Sequence, residues 1–140
     1  SRGLGDVYKR QGHIHTTWEL ARMYEFSFPV LFSVVLGHVG AAPAEEEVLK
    51  YMVQYINNSF KDQKAIWGIT HAKRTDFDLI NIAIAMGAAT VRLGFEDSNY
   101  GSKEQVCYNW EIIKEFKEVC RNNETEFMNV NEARNLLNII

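Results

Sequence analysis

The chain has 140 residues, 46% of them hydrophobic and 24% charged, with a formal net charge of −3. That balance suits one domain with its own core, and the acidic sign argues against a nucleic-acid binder that works through a basic field. No apolar run reaches the roughly 20 residues that span a bilayer, and no signal peptide is visible at the start, so a cytoplasmic protein without membrane or nucleic-acid partners is expected.

The head, SRGLGDVYKRQ, is polar and has no apolar period. Thr16 or Thr17 is placed to cap a helix through Trp18, Ala21, Arg22 and Glu25, which Pro29 ends. The run VLFSVVLG is short, apolar and rich in β-branched residues, the pattern of a strand buried on both faces of a parallel sheet. A helix follows, with Pro43 in its first turn and Glu45, Glu46 and Glu47 at the positive end of its dipole. Leu49, Met52, Val53, Ile56 and Phe60 keep its apolar period.

KAIWGITHA reads as a second strand from about Ala65, followed by a polar knot and a helix from Leu79 to Met86 that Gly87 ends. ATVRLGFED reads as a third strand from about Thr90, and SNYGSKEQ as a loop. The last long helix is expected to bury Val106, Trp110, Ile113, Phe116 and Cys120. Cys107 and Cys120 form neither a CxxC pair nor a disulfide framework and read as small core residues. A final helix begins at Asn129, with Glu132 as its capping-box partner.

The alternation predicts an α/β fold with a parallel sheet and right-handed crossovers. Both a doubly wound sheet and part of a (β/α)8 barrel fit, and both place their ligand at the carboxyl ends of the strands. Strand alternation in TVRLGFED sends Val91, Leu93 and Phe95 one way and Arg92, Gly94 and Glu96 the other. A cation and a carboxylate then share the inner face, with Asp97 just past the strand. Burying such ions for stability alone is costly, so a metal-binding or proton-transferring carboxylate pair oriented by an arginine is the expected role, against a structural salt bridge.

Other segments carry weaker signals. GHVGAAPAEEE has glycines between strand and helix, but lacks a dinucleotide or P-loop pattern, and its glutamates would repel phosphate. Close backbone approach of this segment to a ligand is favoured. His13 and His15 make an HxH before a helix, without a nearby acid. His71, Lys73, Arg74 and Asp76 form either an anion-binding group or a solvated helix cap.

FSVVLGHVGAAPA, WGITHAKRTDFDLINIAIAMGAATVRLGFEDSNYG, NWEIIKEFKEV and NVNEARNLL together resemble the C-terminal half of the β-keto acid cleavage enzymes, among them the 3-keto-5-aminohexanoate cleavage enzyme of lysine fermentation. The resemblance runs from about Thr16 to the C-terminus, with VRLGFED its most specific piece. It implies a (β/α)8 barrel of which this chain holds about three strands. It also implies a divalent metal, usually zinc, and acetyl-CoA as co-substrate. The reaction is a retro-Claisen cleavage of a small β-keto acid to acetoacetate and an acyl-CoA, in a homo-oligomeric parent enzyme.

By position, Glu96 matches the metal-binding glutamate of the last barrel strand, and Arg92 and Asp97 match the pair that assists proton transfer. Gly37, His38, Gly40, His71, Arg74 and Asn109 are carried as substrate- or CoA-binding candidates. The family's two metal histidines, an HxH ending the second barrel strand, have no match, since GHIH stands one helix before LFSVVLG.

One codon choice for Asp6 to Gln11 reads GAT GTG TAT AAG AGA CAG, which resembles a transposase sequencing adapter. Residues 1–11 are therefore expected to be a non-native head, and residues 12–140 the C-terminal half of a barrel domain, inactive by itself. The competing expectations are a small doubly wound module gripping a phosphorylated ligand, and an inactive truncated fragment.

Overall fold

The structure, a computed structural model, describes residues 6–8, 11–24, 26, 29–61, 64–99 and 108–139; for residues 6–8 and 11 it describes the backbone alone. The elements in chain order are β1 (Asp6–Tyr8), α1 (Gln11–Met23), β2 (Val30–Leu36), α2 (Glu46–Ser59), β3 (Ala65–His71), α3 (Asp78–Ala85), β4 (Thr90–Arg92), α4 (Asn109–Asn122) and α5 (Val130–Leu136). The strands form one parallel sheet in the order β1-β2-β3-β4. Three strands were expected; the fourth, β1, lies within the segment read as a non-native head and pairs Asp6–Tyr8 with Phe32–Val34.

That order decides between the two architectures. A doubly wound sheet reverses its strand order at a switch point, where its ligand binds. Here each strand lies beside its predecessor, so right-handed crossovers of one sense bring every connecting helix to the same face. α1 packs on α2 and α2 on α3, as neighbours in one outer layer. The fold is α/β, with the winding of a partial (β/α)8 barrel.

The helix-facing side of the sheet carries most of the core. Phe32, Val34 and Leu36 of β2 are fully buried, and Phe32 and Val34 stand in register with the buried Trp67 and Ile69 of β3. α2 lays Leu49, Met52, Val53 and Ile56 against them, with Phe60 just beyond its end, as its period required. Phe32 and Phe60 meet edge to face at 5.0 Å, a contact worth about 0.5–1.5 kcal/mol beyond area burial. The other face of β2 is less completely covered: Leu31 and Ser33 are half-buried, so only part of this strand is enclosed on both sides.

Several boundaries differ from those expected. α1 begins at Gln11, not at Thr16 or Thr17; Thr16 Oγ1 instead donates to the Gly12 carbonyl one turn back, and Thr17 is buried. Glu25 lies outside the described residues. Glu45 is the N-cap residue of α2, so Pro43 precedes the helix and only Glu46 and Glu47 occupy its first turn. α3 ends at Ala85, with Gly87 following at φ +93°.

α4 buries Ile112, Phe116 and Cys120, while Trp110 and Ile113 are exposed. The apolar stripe is thus rotated from the one expected, because Ile112 continues the i, i+4, i+8 line and Trp110 does not. Val106 and Cys107 lie outside the described residues. α5 has the expected Asn129 cap, whose side chain accepts from Asn131 N and Glu132 N while Glu132 returns to Asn129 N.

Candidate active site

The carboxyl ends of β2, β3 and β4 converge on Asp97. Register places Arg92 beside Thr70, and Thr70 beside Val35, so Arg92 belongs to the inner face as alternation predicted. The alternation stops there, because the strand ends at Arg92. The chain turns instead, with Asp97 N and Ser98 N both donating to the Gly94 carbonyl at 3.0 Å. Asn109, the first residue of α4, accepts from Phe95 N at 2.9 Å and ties the turn to that helix.

The turn brings the Asp97 carboxylate back onto its own strand. Arg92 Nε donates to Oδ2 at 3.0 Å and Nη2 to Oδ1 at 2.5 Å. His38, in the loop after β2, places Nε2 at 3.2 Å from Oδ1. A carboxylate only accepts, so that nitrogen must carry the proton. The Asp97 backbone carbonyl accepts from Lys73 N at 2.7 Å, just past β3.

Lys73 sits at φ +58°, a left-handed geometry costing a non-glycine residue about 1–2 kcal/mol; the bond to Asp97 helps to offset it. The Asp97 side chain is 3% exposed, against 47% for Arg92 and 28% for His38. The guanidinium's pKa is raised: the hydrogen bond to Asp97 is the largest effect, loss of hydration opposes it, and the charges of Asp97 and then Glu96 add to the rise.

Glu96 departs from expectation. It lies in the turn rather than on the inner strand face, its side chain is 77% exposed, and its ion pair is a 3.7 Å contact to Arg92 Nη2. Phe95, expected to pack under helices, is also largely exposed. Both follow from the early strand end, since period-two facing holds only while the backbone stays extended.

The other candidates divide. Gly37 and Gly40 have φ of +80° and +78°, and a Cβ on Gly37 would meet the Ala72 carbonyl oxygen at 2.6 Å. The close approach at Gly37 is to the chain's own Ala72, just past β3. Arg74 is neither part of an open anion site nor a solvated cap: it is 1% exposed, its guanidinium carbon lies 4.5 Å from the Phe77 ring centroid, and its carbonyl accepts from Ser98 Oγ at 2.6 Å. His71 has its Nδ1 buried without a hydrogen-bond partner, and loss of hydration pushes its pKa down. Asp76 Oδ1 accepts from Asp78 N at the start of α3.

His13 and His15 both lie inside α1. Two residues apart on a helix they project about 200° apart, which rules out joint chelation. His15 Nδ1 pairs with the Tyr55 hydroxyl at 3.3 Å instead. Ser98 was missed by sequence reasoning, and nothing in its local pattern announces a bond to a residue on another strand's loop.

A family model for the beta-keto acid cleavage enzymes matches residues 7–139. The chain belongs to the β-keto acid cleavage enzyme family. No curated protein matches it. The match takes in Val7 to Gln11 of the segment read as a non-native head. Family membership implies an enzyme as the parent of this chain and β-keto acid cleavage as its activity. No helix among the described residues is long and apolar enough to cross a membrane.

For a β-keto acid cleavage enzyme, the described residues do not by themselves complete a site for the metal expected from the family. Among the described residues no group of three or more His, Cys, Asp or Glu side chains could hold an ion, and a zinc site takes three protein ligands at the least. Glu96 is an exposed carboxylate with Arg92 as its ion-pair partner, which supplies one donor and no cage.

Proposed function

We propose that this chain supplies the proton-transfer pair of an enzyme that cleaves a small β-keto acid with acetyl-CoA. The observation that carries this is the buried Asp97 carboxylate clamped by Arg92 at the carboxyl end of β4. The carbon between two carbonyls is acidic, and Asp97 is the base placed to take its proton. The resulting carbon nucleophile bonds to the acetyl carbon, and the CoA thiolate leaves. The thiolate then attacks the original acyl carbonyl; the old carbon–carbon bond breaks, giving an acyl-CoA and the acetoacetate carbanion, which takes the proton back from Asp97.

Arg92 holds Asp97 in place, and its half-exposed guanidinium can also receive the substrate carboxylate. Glu96 offers one carboxylate to a divalent metal, zinc by family, whose remaining ligands are not among the residues described. Such an ion would polarise the keto-acid oxygens as a Lewis acid.

Three readings travel with this one. The chain by itself is inactive. Gly37, Gly40 and Asn109 shape the mouth around the acyl and CoA groups. Residues 1–11 are adapter-derived, although β1 and the family match both include part of them; the genomic sequence upstream of Gly12 tests this, and a continuing native frame through Asp6–Gln11 would overturn it.

The activity is tested by mixing the chain with the N-terminal half of a full-length family member, zinc, acetyl-CoA and a panel of β-keto acids. Acetoacetate should form only in the mixture, and Asp97→Asn should lower the rate by roughly 100-fold or more, as for loss of a positioned base. Acetoacetate formation unchanged by Asp97→Asn would overturn the assignment.

A further inference from the structure

Among the described residues Asp97 has two side-chain partners, Arg92 and His38, and only Arg92 fits the pair carried over from the family. The second, His38, comes from a different strand, in a loop whose conformation is tightly fixed. Gly37 N donates to the Ala42 carbonyl at 2.9 Å, Ala41 N to the His38 carbonyl at 3.0 Å, and a bridge joins Leu36 to Ala42. Gly37 itself takes φ +80° against the Ala72 carbonyl. The imidazole is therefore presented by a closed turn rather than by a free loop.

We propose that His38 is a positioning residue for Asp97, not a substrate- or CoA-binding group; this rests on Asp97 being the base. The two tethers differ in kind. Arg92 binds both carboxylate oxygens and reaches out from β4, with a side chain 47% exposed. An incoming substrate carboxylate competes with Asp97 for that guanidinium, since a fork of donors suits either anion. If Arg92 were the only tether, binding the substrate would loosen the base.

His38 holds Oδ1 from β2 by a single bond and leaves Oδ2 unclaimed by it. The backbone bond from Lys73 N to the Asp97 carbonyl fixes the main chain from β3. Asp97 is thus held from three strand ends, and the β2 contact is the one that still holds the carboxylate when Arg92 turns to the substrate.

Two readouts test this. The first uses the 140-residue chain alone: nitrogen-detected NMR of labelled imidazole should show His38 protonated at Nε2, with that tautomer preference lost in Asp97→Ala. Asp97→Asn, which keeps an acceptor oxygen, should retain it. A His38 signal unchanged by Asp97→Ala overturns the proposal, and this result does not depend on activity.

The second uses the half-enzyme mixture. His38→Ala should lower kcat roughly 10- to 100-fold, as expected for a displaced catalytic group, with KM for acetyl-CoA and keto acid changed less than about twofold. His38→Asn should recover part of kcat. A rise in KM at unchanged kcat would make His38 a ligand-binding group and overturn the proposal. If the wild-type mixture gives no acetoacetate, the functional reading fails by itself, while the imidazole signal still decides whether His38 holds Asp97.

Discussion

A Cβ on Gly37 would stand 2.6 Å from the Ala72 carbonyl oxygen, and Gly37 itself has φ +80°. Two independent constraints therefore demand glycine at the end of β2. The same crossing carries the bond from Ala72 N to the Leu36 carbonyl, at 2.9 Å. Gly37→Ala should cost roughly 2–5 kcal/mol, the sum of a left-handed backbone penalty and an overpacking clash. Urea denaturation should show a lower midpoint, and the His38–Asp97 contact should be lost with it.

Gly68 faces Thr90 across β3 and β4, and a side chain there would run into both the hydroxyl and the carbonyl of Thr90. Gly68→Ala should destabilise the chain by about 1–3 kcal/mol. Adding Thr90→Ala should not restore the loss, because the backbone obstruction remains. Hydrogen exchange at Val91 and Arg92 would report the loosened β4; full rescue by the double variant would contradict this account.

His71 gives the stability a pH dependence. Loss of hydration, the largest effect, lowers its pKa below the ordinary value of 6.5, with Arg74 lowering it further and Asp76 opposing. The unfolded chain therefore takes up a proton at higher pH than the folded one does. The contribution is fully present above pH 6.5 and falls as pH drops below that value toward the folded pKa. Urea midpoints between about pH 8 and 5 should decline on the acid side, and His71→Gln should flatten that decline.

Asn109 accepts from Phe95 N and so braces the turn that carries Asp97. Asn109→Ala should cost about 1 kcal/mol, the usual net worth of one hydrogen bond. Asn109→Asp, which keeps the acceptor, should stay near wild type. In the half-enzyme mixture the alanine variant should lower kcat more than it raises KM, since Asn109 acts through the turn.

The periodic and local features of this chain are legible in its sequence. The α2 core face, the Asn129–Glu132 capping box and the inward side of Arg92 all follow from spacings of two to four residues. The early end of β4 is not legible there, because TVRLGFED keeps its alternation of residue types after the backbone has turned at Gly94. That one event moves Glu96 outward and swings Asp97 onto Arg92.

Residue order alone carries the α/β alternation, the core face of α2, the capping box of α5, and the VRLGFED segment as the place to look. Those depend on short-range periodicity and on residue type. The strand order β1-β2-β3-β4, which is barrel-like winding and not a doubly wound sheet, emerges only in three dimensions. So do the burial of Arg74 against Phe77 and the hold of His38 on Asp97, 59 residues away. Strand adjacency, burial and such a meeting depend on which distant segments share space, and no local pattern in this chain encodes that.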